Sequence, residues 1–209
     1  MEIKWYGHSC FRIVERGMAS IVTDPFDHTE VGYSALKLKA DVVTVSQDLP
    51  GHNHIKAVTG KDWEIRGAGE YEIGGVFITA IATLGKDKKN LVSVFDFGDL
   101  TVGHLGNISD VPKRSELEAM GTVDVALAPV GGGKSLNAAK AAELISLLEP
   151  GIVVPMHYKT PESTQKLNLL TRFLQEMGLS KSEKPEESLK VTKTSVPEES
   201  RVVVLSVTK

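Results

Sequence analysis

Apolar and polar positions divide the chain into two halves with different rhythms. In the first half the apolar residues come in short runs, IKWY, CFRIV and ASIVTD, rich in β-branched and aromatic side chains and broken at Gly7 and Gly17. Such runs predict strands. ADVVTVS, residues 40–46, is apolar almost without interruption, the pattern of a strand covered on both faces. WEIRG, YEIGG and VFITAIAT follow, separated by Gly67, Gly69, Gly74 and Gly75. LVSVFDFGDLTVGHLG reads as a hairpin turning at Gly98 and Asp99.

The second half alternates helix and strand periods. SELEAMG predicts a short helix ended by Gly121, and VDVALAPV a buried strand. NAAKAAELISLLEP predicts an amphipathic helix with Asn137 as N-cap and Pro150 past its end. GIVVPMH is a second buried strand, and STQKLNLLTRFLQEMG a second amphipathic helix closed by Gly178. The charged stretch KSEKPEES, 181–188, predicts a surface loop, and SLKVTKTS and RVVVLSVT predict closing strands. There is no clear internal repeat and no linker long enough to divide the chain. The expectation is one α/β domain over residues 1–209, layered on two sheets.

Composition narrows the function classes. At 209 residues, 41% hydrophobic and 24% charged, the chain can bury a sizeable core. Its net charge of −3 is interspersed along the sequence without a basic stripe, so a nucleic-acid partner has no electrostatic support. The single cysteine, Cys10, allows no intrachain disulfide and no Cys-rich zinc site, which suits a reducing compartment. MEIKWYGHSC lacks the features of a signal peptide, and no apolar run approaches the ~20 residues that span a bilayer. These points set the expectation of a cytoplasmic protein without a membrane partner; a homo-oligomer stays open.

Histidine carries the candidate chemistry, as the commonest metal ligand and the usual proton carrier near neutral pH. His8, His52, His54 and His157 fall at or just past the ends of predicted strands, where α/β proteins place their sites. Asp24 and Asn107 each follow a β-rich segment directly, in VTDPF and HLGN. Turn chemistry explains an Asp or Asn there equally well. His104 lies within a strand pattern and reads as a satisfied core or edge histidine; His28 has no specific reading. PVGGGKS resembles the end of a phosphate-binding loop, but that motif requires glycine where Ala128 stands, so GGG reads as a tight strand-to-helix turn.

In order, KWYGHSCF, IVTDPF, VTVS with its polar loop, GAGEYEIGGV, VGHLGN, VDVALAPVGG and VVPMHYKT resemble the metallo-β-lactamase superfamily. Within it they are most similar to the branch of the ascorbate-6-phosphate lactonase and related cytoplasmic metal-dependent hydrolases. The resemblance covers roughly residues 2–160 and implies a four-layer αββα sandwich of two mixed sheets. It also implies a two-metal site, and the chain departs from that site. Asp24, which would support the metal loop, and His157 of PMHY are present. The H-x-H-x-D-H motif falls on Gln47, Leu49, Gly51 and His52, so only its last histidine remains. The histidine expected after VFITAIAT is missing, and the bridging aspartate is Asn107.

Leucine and glycine offer no donor, and a neutral amide is a weak ligand. The resemblance therefore implies no resident cofactor, or at most one weakly held zinc or manganese ion on His52 and His157 with Asp24 supporting. A third ligand would have to come from His54, His8, Asp48 or Asp24. Two functions follow as expectations. One is a non-catalytic binding or regulatory module with an unknown small-molecule or protein partner. The other is a hydrolase of a small phosphorylated or lactone-type substrate, using a mononuclear or metal-free pocket of His8, His52, His157 and Asn107. The geometry this requires is that His52 and His157 face each other with Asn107 beside both.

Overall fold

The computed structural model describes residues 1–85, 88–179 and 184–209. The order is β1 (Glu2–Gly7), β2 (Cys10–Val14), β3 (Ile21–Thr23), α1 (His28–Val31), β4 (Leu38–Lys39), β5 (Val42–Thr44), β6 (Val58–Thr59), β7 (Trp63–Ile65), β8 (Gly69–Ile73) and β9 (Val76–Gly85). Then come β10 (Lys88–Asp96), β11 (Thr101–His104), α2 (Arg114–Met120), β12 (Val125–Pro129), α3 (Ala138–Leu148), β13 (Ile152–Met156), α4 (Leu170–Glu176), β14 (Leu189–Lys190) and β15 (Arg201–Val202).

Two mixed sheets form, in the order β14-β1-β2-β3-β5-β7 and β15-β13-β12-β11-β10-β9-β8. The main core lies between them. Trp5, Phe11 and Ile13 from the first sheet pack with Phe95, Val102, Leu127 and Val154 from the second in one buried cluster. Parallel pairing of β11, β12 and β13 leaves VALAP and IVVPM buried along their whole length, as strands covered on both faces must be. Helix α3 covers the second sheet with Ala138, Ala141, Leu144 and Ile145, its first turn capped by the Asn137 side chain accepting from Lys140 N at 3.0 Å. The outer face of the first sheet is covered more thinly. There Cys10, Val22, Phe26, Tyr33 and Val43 pack around α1 and the two-stranded ribbon β4–β6. No helix among the described residues is long and apolar enough to cross a membrane.

The predicted helix over STQKLNLLTRFLQEMG shrinks to α4. Residues 163–168 spend their polar groups on other elements: Thr164 N bonds Val31 O (3.1 Å), Gln165 Nε2 bonds Glu30 O (2.7 Å) and Asn168 N bonds Gly131 O (2.8 Å). Tertiary hydrogen bonds override the helical period there. The closing strands are likewise shorter than SLKVTKTS and RVVVLSVT predict, because Lys193–Ser195 turns into a 3-10 helix and β15 pairs with β13 only through Arg201 and Val202. Part of the predicted loop 181–188, and part of the segment following VFITAIAT, lie outside the described residues.

Between β11 and the second half, Gly106 has φ +63°, and a Cβ there would sit 2.5 Å from both Asn90 Oδ1 and Ser46 Cβ. Gly98, at the β10–β11 turn, has φ +83° but open space around it. Gly98→Ala should cost about 1–2 kcal/mol of backbone strain, and Gly106→Ala a further 1–3 kcal/mol or so for the collision. Urea unfolding of both variants checks this; equal losses would show that the approach at Gly106 is not close.

Candidate metal centre

Three strand ends meet at one edge of the sandwich, each in strained backbone. His8 follows β1 with φ 50°, Asp24 follows β3 with φ 40°, and His157 follows β13 with φ 53°. They are three of the four non-glycine residues with positive φ among the described residues; the fourth, Glu149, caps α3. Such conformations cost about 1–3 kcal/mol each and persist only where the surroundings enforce them. Here hydrogen bonds do so. The His8 carbonyl accepts from Trp5 Nε1 and from His157 N, both at 3.1 Å. Ser9 O accepts from His104 Nε2 at 2.9 Å. His104 is thus a satisfied core histidine that anchors the neighbouring turn.

These turns bring His8, His52 and His157 together, all buried. Ring centroids lie 4.9 Å apart for His8–His52, 4.3 Å for His8–His157 and 6.3 Å for His52–His157. One nitrogen from each lies within 4.8 Å of the others. Asp24 stands behind His52, accepting from its Nδ1 at 2.7 Å and from Ser46 N (2.7 Å) and Ser46 Oγ (2.5 Å). Burial pushes the Asp24 carboxyl up, but His52, His104 and the Ser46 hydrogen bonds outweigh it and hold the group below its usual value. An ionised Asp24 only accepts, so the proton sits on His52 Nδ1 and the lone pair on Nε2.

Ser135 does the same for His157. Its hydroxyl donates to Gly132 O at 3.0 Å, so toward His157 Nδ1, 2.8 Å away, it accepts. That again leaves Nε2 with the lone pair. Burial, reinforced by the other histidines, pushes His8 well below its ordinary value and His157 down to about 3. Both are neutral at pH 7, the form in which histidine ligates a metal. His8 Nδ1 is buried without a hydrogen-bond partner, which a buried polar atom rarely is, and a ligated ion would satisfy it.

The remaining motif positions are placed as follows. Leu49, Gly51, His52 and Asn107 line a cavity of about 290 Å³ together with His8 and His157. Gln47 lies beside it: Gln47 Nε2 donates to Lys89 O at 3.1 Å, and Gln47 Oε1 accepts from Asn107 Nδ2 at 2.9 Å. The Lys89 carbonyl can only accept, which fixes both amides and leaves Asn107 Oδ1 buried without a partner. At Gly51 a Cβ would lie 3.0 Å from His8 Nε2, so His8 uses room that a side chain at 51 would take. His54 is outside the group, partly exposed and 3.9 Å from Asp27. Asp48 turns to Asn53.

Sequence reasoning paired His52 with His157 and ranked His8 among several alternative third ligands; the fold places it as the third member. It missed Ser135, hidden inside GGGKS, and the Gln47–Asn107 pair, 60 residues apart.

A family model, the β-lactamase superfamily domain, matches residues 2–157. The chain belongs to the metallo-β-lactamase superfamily. Superfamily relatives include a UPF0173 protein of Pyrococcus abyssi, 28% identical over 183 residues and covering 77% of this chain and 84% of that one. A UPF0173 metal-dependent hydrolase of Thermoplasma acidophilum is 24% identical over 191 residues, covering 77% and 84%. The crystal structure of a superfamily protein from Thermotoga maritima is 33% identical, covers 98% of this chain and 97% of its own, and superposes with a TM-score of 0.81. The sandwich expected from the sequence is the superfamily's fold.

A pH dependence follows for the metal-free protein. His157 takes up its proton in the unfolded chain near pH 6.5 but in the folded chain only near pH 3. Stability is therefore full above pH 6.5 and falls as pH drops through that window, by up to about 1.4 kcal/mol per pH unit for this one group. Chelator-treated protein followed by urea unfolding from pH 7.5 to 5 should show that decline, and His157→Gln should reduce its slope. An unchanged slope in the variant would mean that His157 titrates normally.

Proposed function

We propose that His8, His52 and His157 hold one divalent ion of the zinc class and that the protein is a mononuclear metal-dependent hydrolase of small ester- or lactone-type substrates. One observation carries the reading: three buried imidazoles converge on one cavity, two of them with their Nδ1 atoms held by Asp24 and Ser135 so that Nε2 is left to ligate. Three histidines with an open fourth position form a known catalytic zinc set. The residues fit the ion in a second respect, because His8 Nδ1 and Asn107 Oδ1 are buried polar atoms without partners. A bound ion would supply Lewis acidity toward a substrate carbonyl or a water. For their part, Asp24 and Ser135 orient the imidazoles, and Asn107 Oδ1 offers an acceptor at the cavity wall.

In this reading the ligand shortage at 47, 49, 51 and 107 is met by exchange. His8 takes the space beside Gly51, and the Gln47–Asn107 amide pair closes on itself where the resemblance expects charged or metal-binding groups. Names of the relatives as metal-dependent hydrolases support the hydrolase side, and the similarity of GHSCF and PMHYKT to lactonase-type enzymes selects lactones as first substrates. The second reading, a binding module without turnover, rests on the same amide pair: Asn107 offers a neutral amide where the resemblance expects a bridging carboxylate.

Zinc titration against a competing chelator tests the proposal. The protein should take up one equivalent. His8→Ala, His52→Ala and His157→Ala should each weaken binding by at least ~100-fold, and Ser135→Ala by roughly 10–100-fold, the range for residues that orient ligands. Lactone and ester hydrolysis should disappear with the ion. No zinc uptake, two equivalents, or full affinity in the His8 variant would sink the single-ion triad. Stoichiometric zinc without turnover on any ester or lactone would favour the module.

A further inference from the structure

The mouth of the cavity carries charge that the histidine site leaves unused. Lys134 and Lys166 line it, from two loops that pack on each other. Asn168 N donates to Gly131 O at 2.8 Å, and Lys159 N to Asn168 O at 2.9 Å. Gly132 and Gly133 have φ of +73° and +71°, and a Cβ on Gly133 would lie 3.1 Å from Leu167 Cδ2. Both lysines therefore stand on pinned backbone. Among the described residues neither ammonium group has a hydrogen-bond or ion-pair partner, whereas Lys140 pairs with Asp110 and Lys193 with Asp124.

The interior's carboxylate, Asp24, does not line the cavity. His8 and His157 are neutral, and Asp24, behind His52, is committed to His52 and Ser46. Glu30 is the one carboxylate among the lining residues. Two ammonium groups and one carboxylate leave a single positive charge at the mouth. The cavity, about 290 Å³, is at the small end of ligand sites. Val31, Leu49 and Leu167 give it an apolar flank.

We infer that the molecule bound here carries one oxyanion, a carboxylate or phosphate monoester, held by Lys134 and Lys166 while its reacting group reaches the histidine triad. The inference rests on the reading of this pocket as the active site and deepens it. Lys134 and Lys166 are specificity residues that take no part in holding the ion, and Glu30 limits the pocket to a single anionic group by repelling a second. An electropositive mouth also raises the encounter rate with anions in a salt-dependent way.

The test uses inorganic phosphate as probe on chelator-stripped protein, with calorimetric or phosphorus NMR titration. Wild type should bind phosphate in the millimolar range, weakening with added salt. The double variant Lys134→Gln/Lys166→Gln should bind at least about tenfold more weakly, Glu30→Gln roughly threefold more tightly, and Lys37→Gln, an exposed lysine outside the pocket, as wild type does. Zinc affinity of all these variants should stay within about twofold of wild type, which keeps this result separate from the triad. Phosphate binding equal in the double variant and wild type, or none in wild type at 50 mM or so, overturns the inference. If zinc uptake fails while the lysine effect holds, the metal reading falls and the anion site stands.

Discussion

The site depends on one carbonyl oxygen. His8 O accepts from the Trp5 indole of its own sheet and from the backbone N–H of His157 in the other. These two bonds tie β1 to β13 across the edge of the sandwich and force two imidazoles into the same small volume. Trp5 is almost wholly buried, and its ring packs on Phe11 and Tyr158. The donor that fixes the His8 turn is therefore held by the core itself. Positive φ at His8 and His157 is tolerated because the two strand ends brace each other.

Around that link, the hydrogen bonds sort the pocket into two kinds of wall. On one side, Asp24 and Ser135 accept from the Nδ1 atoms of His52 and His157 and set their lone pairs toward the cavity. On the other, Gln47 and Asn107 satisfy one another and leave a single acceptor over. A neutral amide pair carries no charge to balance a dication, while neutral imidazoles need none to ligate one. The proposed single-ion site follows from that contrast, and the proposed anion site lies apart from it, at the lysines of the mouth.

Glycines decide how closely these walls approach. Gly106 lets the turn after β11 press on Asn90 and Ser46, and a Cβ on Gly131 would run into the His157 carbonyl. Gly51 leaves the room that His8 fills. Read as a motif position, Gly51 is a missing ligand; in the fold it makes room for the His8 imidazole.

Much of this was legible in the chain. Alternating and continuous apolar runs located the strands, because burial on one face or two imposes those patterns directly. Asn137 marked the start of α3, since a cap is a local interaction. Asp24, His52, His157 and Asn107 were singled out at strand ends, and the structure gathers them. The sequence could not say that residues 163–168 leave the helical pattern, that His8 completes the triad, or that Ser135 and Gln47 orient their partners. Those outcomes depend on contacts between residues 22 to 149 positions apart, and local periodicity carries no information about which distant carbonyl a given N–H will find. The chain alone determined which elements form and which side chains could ligate; only tertiary structure decided which of them meet, because the meeting is fixed by hydrogen bonds between the two sheets.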